Sequence, residues 1–214
     1  MSYRARVKFC GITRAEDARI AADLGVDAIG LVFVPRSPRC VSTRTAAEIC
    51  SALPPLIQIV GLFMDADAAT VQATLDAVPL DLLQFHGTET PEFCDSFRRS
   101  HVKALAMGDG LDVEYAAKRY ARARGVLLDA HRSGEQGGTG MRFDWSEIPA
   151  RLAPRIILAG GLGPDNVAQA IHQVRPYAVD VSSGIESAPG IKCPRRMQQF
   201  MNEVDRASRD QGRD

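Results

Sequence analysis

Apolar residues fall into short, nearly continuous runs: RVKFCGI (6–12), AIGLVFV (28–34), IQIVGLF (57–63), LLQFHG (82–87), VKALAM (102–107), VLLDA (126–130), IILAGG (156–161) and VDVSSG (179–184). Runs of this length and composition predict strands buried on both faces. Between them the pattern changes to helical spacing, as in RAEDARIAADLG (14–25), TAAEICSAL (45–53), DAATVQATLDAV (67–78), PEFCDSFRR (91–99) and GPDNVAQAIHQV (163–174). Several of these open on Thr, Ser, Asp or Pro, as helix starts do. The fifth and sixth helices are less clearly marked.

Strands alternating with amphipathic helices imply a parallel sheet covered on its outer face. Eight such units in 214 residues meet the lower size limit of a closed (β/α)8 TIM barrel of the α/β class. A doubly wound open sheet is the alternative, since it too is built from βαβ units. The absence of a linker or Pro/Ser-rich break favours one closed domain over residues 1–207, with 208–214 expected as a frayed tail.

Composition adds exclusions. The chain is 45% hydrophobic and 24% charged, with 26 basic and 26 acidic residues, so nothing electrostatic favours nucleic acid or an anionic membrane as partner. No apolar stretch is long enough to cross a bilayer and the first residues lack a signal-peptide core, so a cytoplasmic location is expected. The five cysteines, Cys10, Cys40, Cys50, Cys94 and Cys193, form no CxxC pair, and neither a disulfide framework nor a metal site is expected.

Loops after the C-terminal ends of the strands build the active site of such a barrel. Cys10 closes the first run before the turn at Gly11, and Gln84, His86 and Asp129 hold the equivalent level on later strands. Taken singly, Cys10 reads as core filler, Asp129 as a turn residue and His86 as a loop contact. Their coincidence at one rim favours chemistry. GGTG (137–140), AGGLGPDN (159–166) and VSSGIES (181–187) place glycine or serine where backbone N–H groups approach an anion, and the last two follow strands seven and eight, the recurrent phosphate cradle of the fold. Neither GxxxxGK[ST] nor a strand-linked GxGxxG occurs.

As a set, KFCGIT, FVPRSPRCVS, LLQFHGTE, LLDA with GGTGMRFDW, ILAGGLGPDNV and VDVSSGIES-APG-IK resemble phosphoribosylanthranilate isomerase, in order and from about residue 7 to 192. The resemblance implies a cofactor-free Amadori rearrangement of N-(5'-phosphoribosyl)anthranilate to 1-(2-carboxyphenylamino)-1-deoxyribulose 5-phosphate, by a monomer or homodimer. It implies that Cys10 is the general base, Asp129 the general acid and Arg39 the contact to the anthranilate part. Gln84, His86 and Asp180 are expected to bind substrate, and Gly138, Gly140, Gly160, Gly161, Ser182, Ser183 and Gly184 its phosphate. Cys193 and Pro194 depart from the family's usual PGxKD, which bears on the start of the last helix. The alternatives are the histidine-pathway isomerase that performs the same rearrangement, with acidic residues at both proton-transfer positions, and a non-catalytic phosphosugar-binding barrel.

The chemistry needs one acid and one base on opposite sides of a held sugar. An aspartic acid titrates near ~3.9, so keeping half of it protonated at neutral pH costs about 4 kcal/mol. A thiol near ~8.5 is a few per cent thiolate there and needs positive charge nearby. Lys8 shares the strand parity of Cys10 and is expected inside the barrel, paired first with Asp180 on the neighbouring strand and only secondarily tuning the thiol.

Overall fold

The computed structural model describes residues 3–107, 111–130 and 144–210. Eight parallel strands, β1 (Arg6–Cys10), β2 (Ala28–Val32), β3 (Gln58–Phe63), β4 (Leu82–Phe85), β5 (Ser100–Ala106), β6 (Val126–Asp129), β7 (Ile156–Leu158) and β8 (Ala178–Val181), close in sequence order into a barrel. Closure rests on the β1–β8 ladder, whose register sets Lys8 beside Asp180. The open-sheet alternative is thereby excluded.

Around the barrel lie α1 (Ala15–Asp23), α2 (Thr43–Ser51), α3 (Ala68–Ala77), α4 (Pro91–Asp95), α5 (Val113–Arg119), α6 (Val167–Val174) and α7 (Pro194–Asp210). Local chemistry starts several of them. Ser42, Asp67, Thr90 and Asp112 each accept a hydrogen bond from a first-turn backbone N–H, satisfying a donor that the helix itself cannot. Between β6 and β7 the described residues form two 3-10 turns, Trp145–Glu147 and Ala150–Arg155, rather than an α-helix; Pro149 and Pro154 explain the short turns there. The last helix continues through Asp210 and buries Ser208, whose Oγ accepts a hydrogen bond from Ala5 N at 3.4 Å, so residues 208–210 are helix rather than tail. Pro194 is the first residue of that helix, where its missing N–H costs nothing, and the Cys193–Pro194 departure is accommodated.

Alternation along each strand divides the core in two. Outward residues such as Phe9, Leu31, Phe63, Leu83 and Leu128 join one apolar layer with the helices. Phe9 is fully buried and meets Phe200 of α7 edge-on, 5.9 Å between centroids, a burial that stabilises the domain by about 1.5–3 kcal/mol. Inward residues stack in levels. Ala28, Val60, Leu82 and Val102 plug the barrel, Ala104, Leu127 and Ile157 lie above, and the upper interior turns polar with Lys8, Gln84, Asp129 and Asp180. A short antiparallel hairpin, β9 (Glu186–Ala188) and β10 (Ile191–Lys192), follows β8. Among the described residues no helix is long and apolar enough to cross a membrane.

Candidate active site

A cavity of about 350 Å³ opens at the C-terminal ends of the strands. Cys10 and Asp129 both line it, and β7 and β8 intervene between their strands, so the thiol and the carboxyl face the same space from different walls.

Cys10 is 6% exposed and sits over Gly30 of β2, its register partner. A Cβ at Gly30 would lie 2.8 Å from the Cys10 Sγ and 3.1 Å from the Lys8 Nζ, so the missing side chain makes room for both groups. Burial pushes the Cys10 thiol up, Lys8 and Lys192 pull it down, Asp180 pushes it up again, and the balance stays above the ordinary thiol value. The Lys8 Nζ donates to Asp180 Oδ1 at 2.8 Å, with both side chains under a tenth exposed. Burial alone would lower the Lys8 ammonium, but Asp180 and Cys10 outweigh it and hold it above its ordinary value. The expected ion pair is present, and the same ammonium lies against the thiol. Asp180 lines the cavity with its charge already engaged.

On the opposite wall the Gln84 Nε2 lies 3.0 Å from His86 Nδ1, and His86 Nε2 lies 3.4 Å from Asp129 Oδ2. With the amide nitrogen as donor, Nδ1 is the acceptor and the imidazole proton sits on Nε2, facing the carboxylate. Gln84 is almost fully buried, and its Oε1 has no hydrogen-bond partner among the described residues.

Arg39 comes from the loop after β2, where Ser37 Oγ accepts its backbone N–H at 3.2 Å. Its side chain crosses Gly11, whose φ of +71° turns the chain out of β1; a Cβ there would stand 2.5 Å from the Arg39 Cδ. Arg39 lines the cavity, and its guanidinium is held in a two-point pair with Glu186, Nε to Oε1 at 2.8 Å and Nη2 to Oε2 at 2.7 Å. Burial would raise the Glu186 carboxyl, yet Arg39 and Lys192 overcome it and keep it below the usual range. Burial lowers the Lys192 ammonium, with Glu186 and Cys10 partly restoring it.

The third wall carries the glycine loops. Gly160 and Gly161 both have positive φ, +80° and +62°, and line the cavity with Ser182 and Ser183. Gly184 does not line it. A Cβ there would lie 2.0 Å from Leu162 O, so this glycine lets the loops after β7 and β8 pack together. Gly138 and Gly140 lie outside the described residues. Sequence reasoning missed the apolar lining from Val34, Met64 and Leu162, and also Glu186 and Lys192 behind Arg39; the IES and GIK segments held the signal, a charge next to each cradle glycine or turn.

The family model described as N-(5'phosphoribosyl)anthranilate (PRA) isomerase matches residues 7–203. This chain belongs to the N-(5'-phosphoribosyl)anthranilate isomerase family. It is 54% identical over 202 residues to a relative of that name from Nitrosococcus oceani, covering 94% of this chain and 98% of the relative. The family member from Pseudomonas putida strain GB-1 is 55% identical over 207 residues, 97% of this chain and 100% of the relative. Among solved structures, the phosphoribosyl anthranilate isomerase from Thermotoga maritima superposes with a TM-score of 0.85 at 39% identity, covering 94% of this chain and 98% of that one. A phosphoribosyl anthranilate isomerase in complex with reduced 1-(o-carboxyphenylamino)-1-deoxyribulose 5-phosphate superposes at 0.82 with 37% identity and the same coverage. The barrel is thus the family's barrel.

Proposed function

We propose that the mouth cavity performs the family's isomerisation with Asp129 as general acid and Cys10 as general base. The observation that carries this reading is that the two groups line one cavity from opposed strands, beside a wall of glycine and serine backbone. The chain is an isomerase of tryptophan biosynthesis, acting on N-(5'-phosphoribosyl)anthranilate in the cytoplasm as a monomer or homodimer.

The 5'-phosphate lies against the Gly160–Gly161 and Ser182–Ser183 backbone, the usual anion position in this fold. Arg39 meets the anthranilate carboxylate, and Gln84, His86 and Asp180 border the ribose. Asp129 delivers a proton to the ribose ring oxygen, the C1'–O bond breaks, and the nitrogen lone pair forms the C1'=N iminium. Cys10 then takes the proton from C2'; the C2'–H electrons form the C1'=C2' bond of the enolamine and the iminium nitrogen is neutralised. Proton transfer from the 2'-hydroxyl to C1' gives the ketone, so the reaction is redox-balanced within the substrate; Cys10 has then gained the one proton that Asp129 lost, and exchange with water returns both groups to their starting states. His86, with its proton toward Asp129, holds the carboxyl in place between cycles. General acid and base roles of this kind contribute about 10²- to 10⁴-fold each.

Adding the purified chain to N-(5'-phosphoribosyl)anthranilate tests the reading, because the substrate's fluorescence is lost on rearrangement. Catalytic loss of signal supports it. Binding without loss would favour the non-catalytic barrel, and loss confined to the histidine-pathway substrate would favour that isomerase, whose acidic residue at the Cys10 position is lacking here.

A further inference from the structure

Behind Arg39, outside the cavity wall, lies a second layer of buried charge. The β9–β10 hairpin pairs Lys192 with Glu186, three residues of one strand against two of the other. The Lys192 Nζ donates to Glu186 Oε1 at 2.7 Å and to Ser182 O at 3.1 Å, and its side chain is fully buried. That same Oε1 accepts the Arg39 Nε, and Oε2 accepts Nη2, so one carboxylate is shared by two cations. Neither Glu186 nor Lys192 lines the cavity; Arg39 does.

The charges decide what this arrangement is for. An Arg39–Glu186 pair alone is neutral, and its carboxylate would repel an anionic ligand at the guanidinium's other edge. Adding the Lys192 ammonium leaves the group of three with one net positive charge. Because the fork of Nε and Nη2 is locked to the carboxylate plane, the Nη1 edge is the one left to meet a ligand. Burying three charges for stability alone is a poor bargain, since well-packed apolar residues do as well or better. The cluster is better understood as an electrostatic support for the cavity.

We propose that Glu186 and Lys192 are positioning residues for ligand-carboxylate recognition: Glu186 fixes the Arg39 guanidinium, and Lys192 offsets the charge of Glu186 so that Arg39 keeps its attraction for the carboxylate. The inference rests on the assignment of Arg39 to the anthranilate carboxylate made above. It adds the two side chains that make that contact work, neither of which touches the substrate.

The test is calorimetric binding of two stable ligands, reduced 1-(o-carboxyphenylamino)-1-deoxyribulose 5-phosphate and the same compound without its ring carboxylate. The unmodified protein should prefer the carboxylated ligand by about 10- to 100-fold, the range of a charged hydrogen-bonded contact. Lys192→Met should cut that preference about tenfold while leaving the affinity for the decarboxylated ligand within about twofold, because a neutral Arg39–Glu186 pair still exists but no longer attracts an anion. Glu186→Gln combined with Lys192→Met restores one net positive charge and should recover most of the preference. Lys192→Gln, a polar replacement that is gentler on folding, should lose it as Lys192→Met does. A preference that disappears in Arg39→Ala but survives in Lys192→Met and Lys192→Gln overturns this inference alone. Equal weakening of both ligands in the lysine variants, or no recovery in the double variant, also overturns it, since either marks a merely structural role. Absence of any preference in the unmodified protein removes the Arg39 assignment and this inference with it.

Discussion

Two buried lysine–carboxylate pairs stand on opposite faces of the same barrel. Lys8 and Asp180 meet at 2.8 Å in the interior; Lys103 and Glu89 meet at 3.0 Å between β5 and the loop after β4. Both are nearly inaccessible to water, yet their surroundings differ. Lys103 also donates to the carbonyls of Phe85 and Gly87, lies 5.7 Å from the Tyr120 ring centre, and Glu89 accepts the backbone N–H groups of Asp65 and Gly87. The remaining hydrogen bonds of both groups go to main chain, so the pair pins the loops after β3 and β4, including the one that carries His86. Lys8 instead shares its space with the Cys10 thiol and opens, through Asp180, on the cavity. One pair fixes a backbone; the other sets a potential. Burial of a salt bridge therefore does not by itself say whether it serves the fold or the reaction, whereas the third group beside it does.

Breaking what each pair serves should give separable results. The largest effect belongs to the chemistry itself: Cys10→Ala and Asp129→Asn should each lower turnover by about 10²- to 10⁴-fold with unchanged circular dichroism, as measured by steady-state fluorescence. Next comes Lys103→Met, which strands the Glu89 carboxylate in the apolar layer and should cost about 3–5 kcal/mol in urea unfolding, while turnover per folded molecule falls far less. Smallest at neutral pH is Lys8→Met combined with Asp180→Asn, which removes the pair without leaving an unpaired charge. Lys8 pulls the thiol down, through its charge and its hydrogen bond, more than Asp180 pushes it up, so losing both should carry the alkaline rise in kcat/KM to still higher pH than in the unmodified protein, where burial already places it above a free thiol. The deficit is several-fold at neutral pH and narrows as pH rises, a profile that a purely structural lesion would not produce.

The barrel was legible in the hydrophobic pattern because parallel strands buried on both faces leave uninterrupted apolar runs. Predicted strand starts fall within two residues of the observed ones, but several runs extend past the true ends, at Gly11–Ile12, His86–Gly87 and Ala159–Gly161. Those overshoots are the rim, where the chain leaves the sheet in order to aim side chains at the cavity. Gln84, Asp129 and Asp180 were readable because each is a buried polar residue where an apolar one packs better, and Cys10 and His86 because they stand where an apolar run gives way to a glycine turn. Glu186 and Lys192 left only the weaker signal of a charge beside a glycine turn; that they meet could not be read, since it depends on a hairpin too short to leave an alternating pattern. Gly184 was expected as a phosphate contact from its glycine alone; that loop packing also requires a glycine there needs the neighbouring Leu162 carbonyl to be seen. The described residues before β7, 144–155, gave no clear helical spacing for a physical reason: Pro149 and Pro154 keep them in short 3-10 turns.

The division of labour between Asp129 and Cys10 is tested most directly by the single-turnover isotope effect on substrate deuterated at C2'. The account predicts that the effect is enlarged in Cys10→Ala, where C2'–H cleavage is the slowed step, and vanishes in Asp129→Asn, where ring opening limits the rate. The opposite pattern, or an effect identical in both variants, would contradict it.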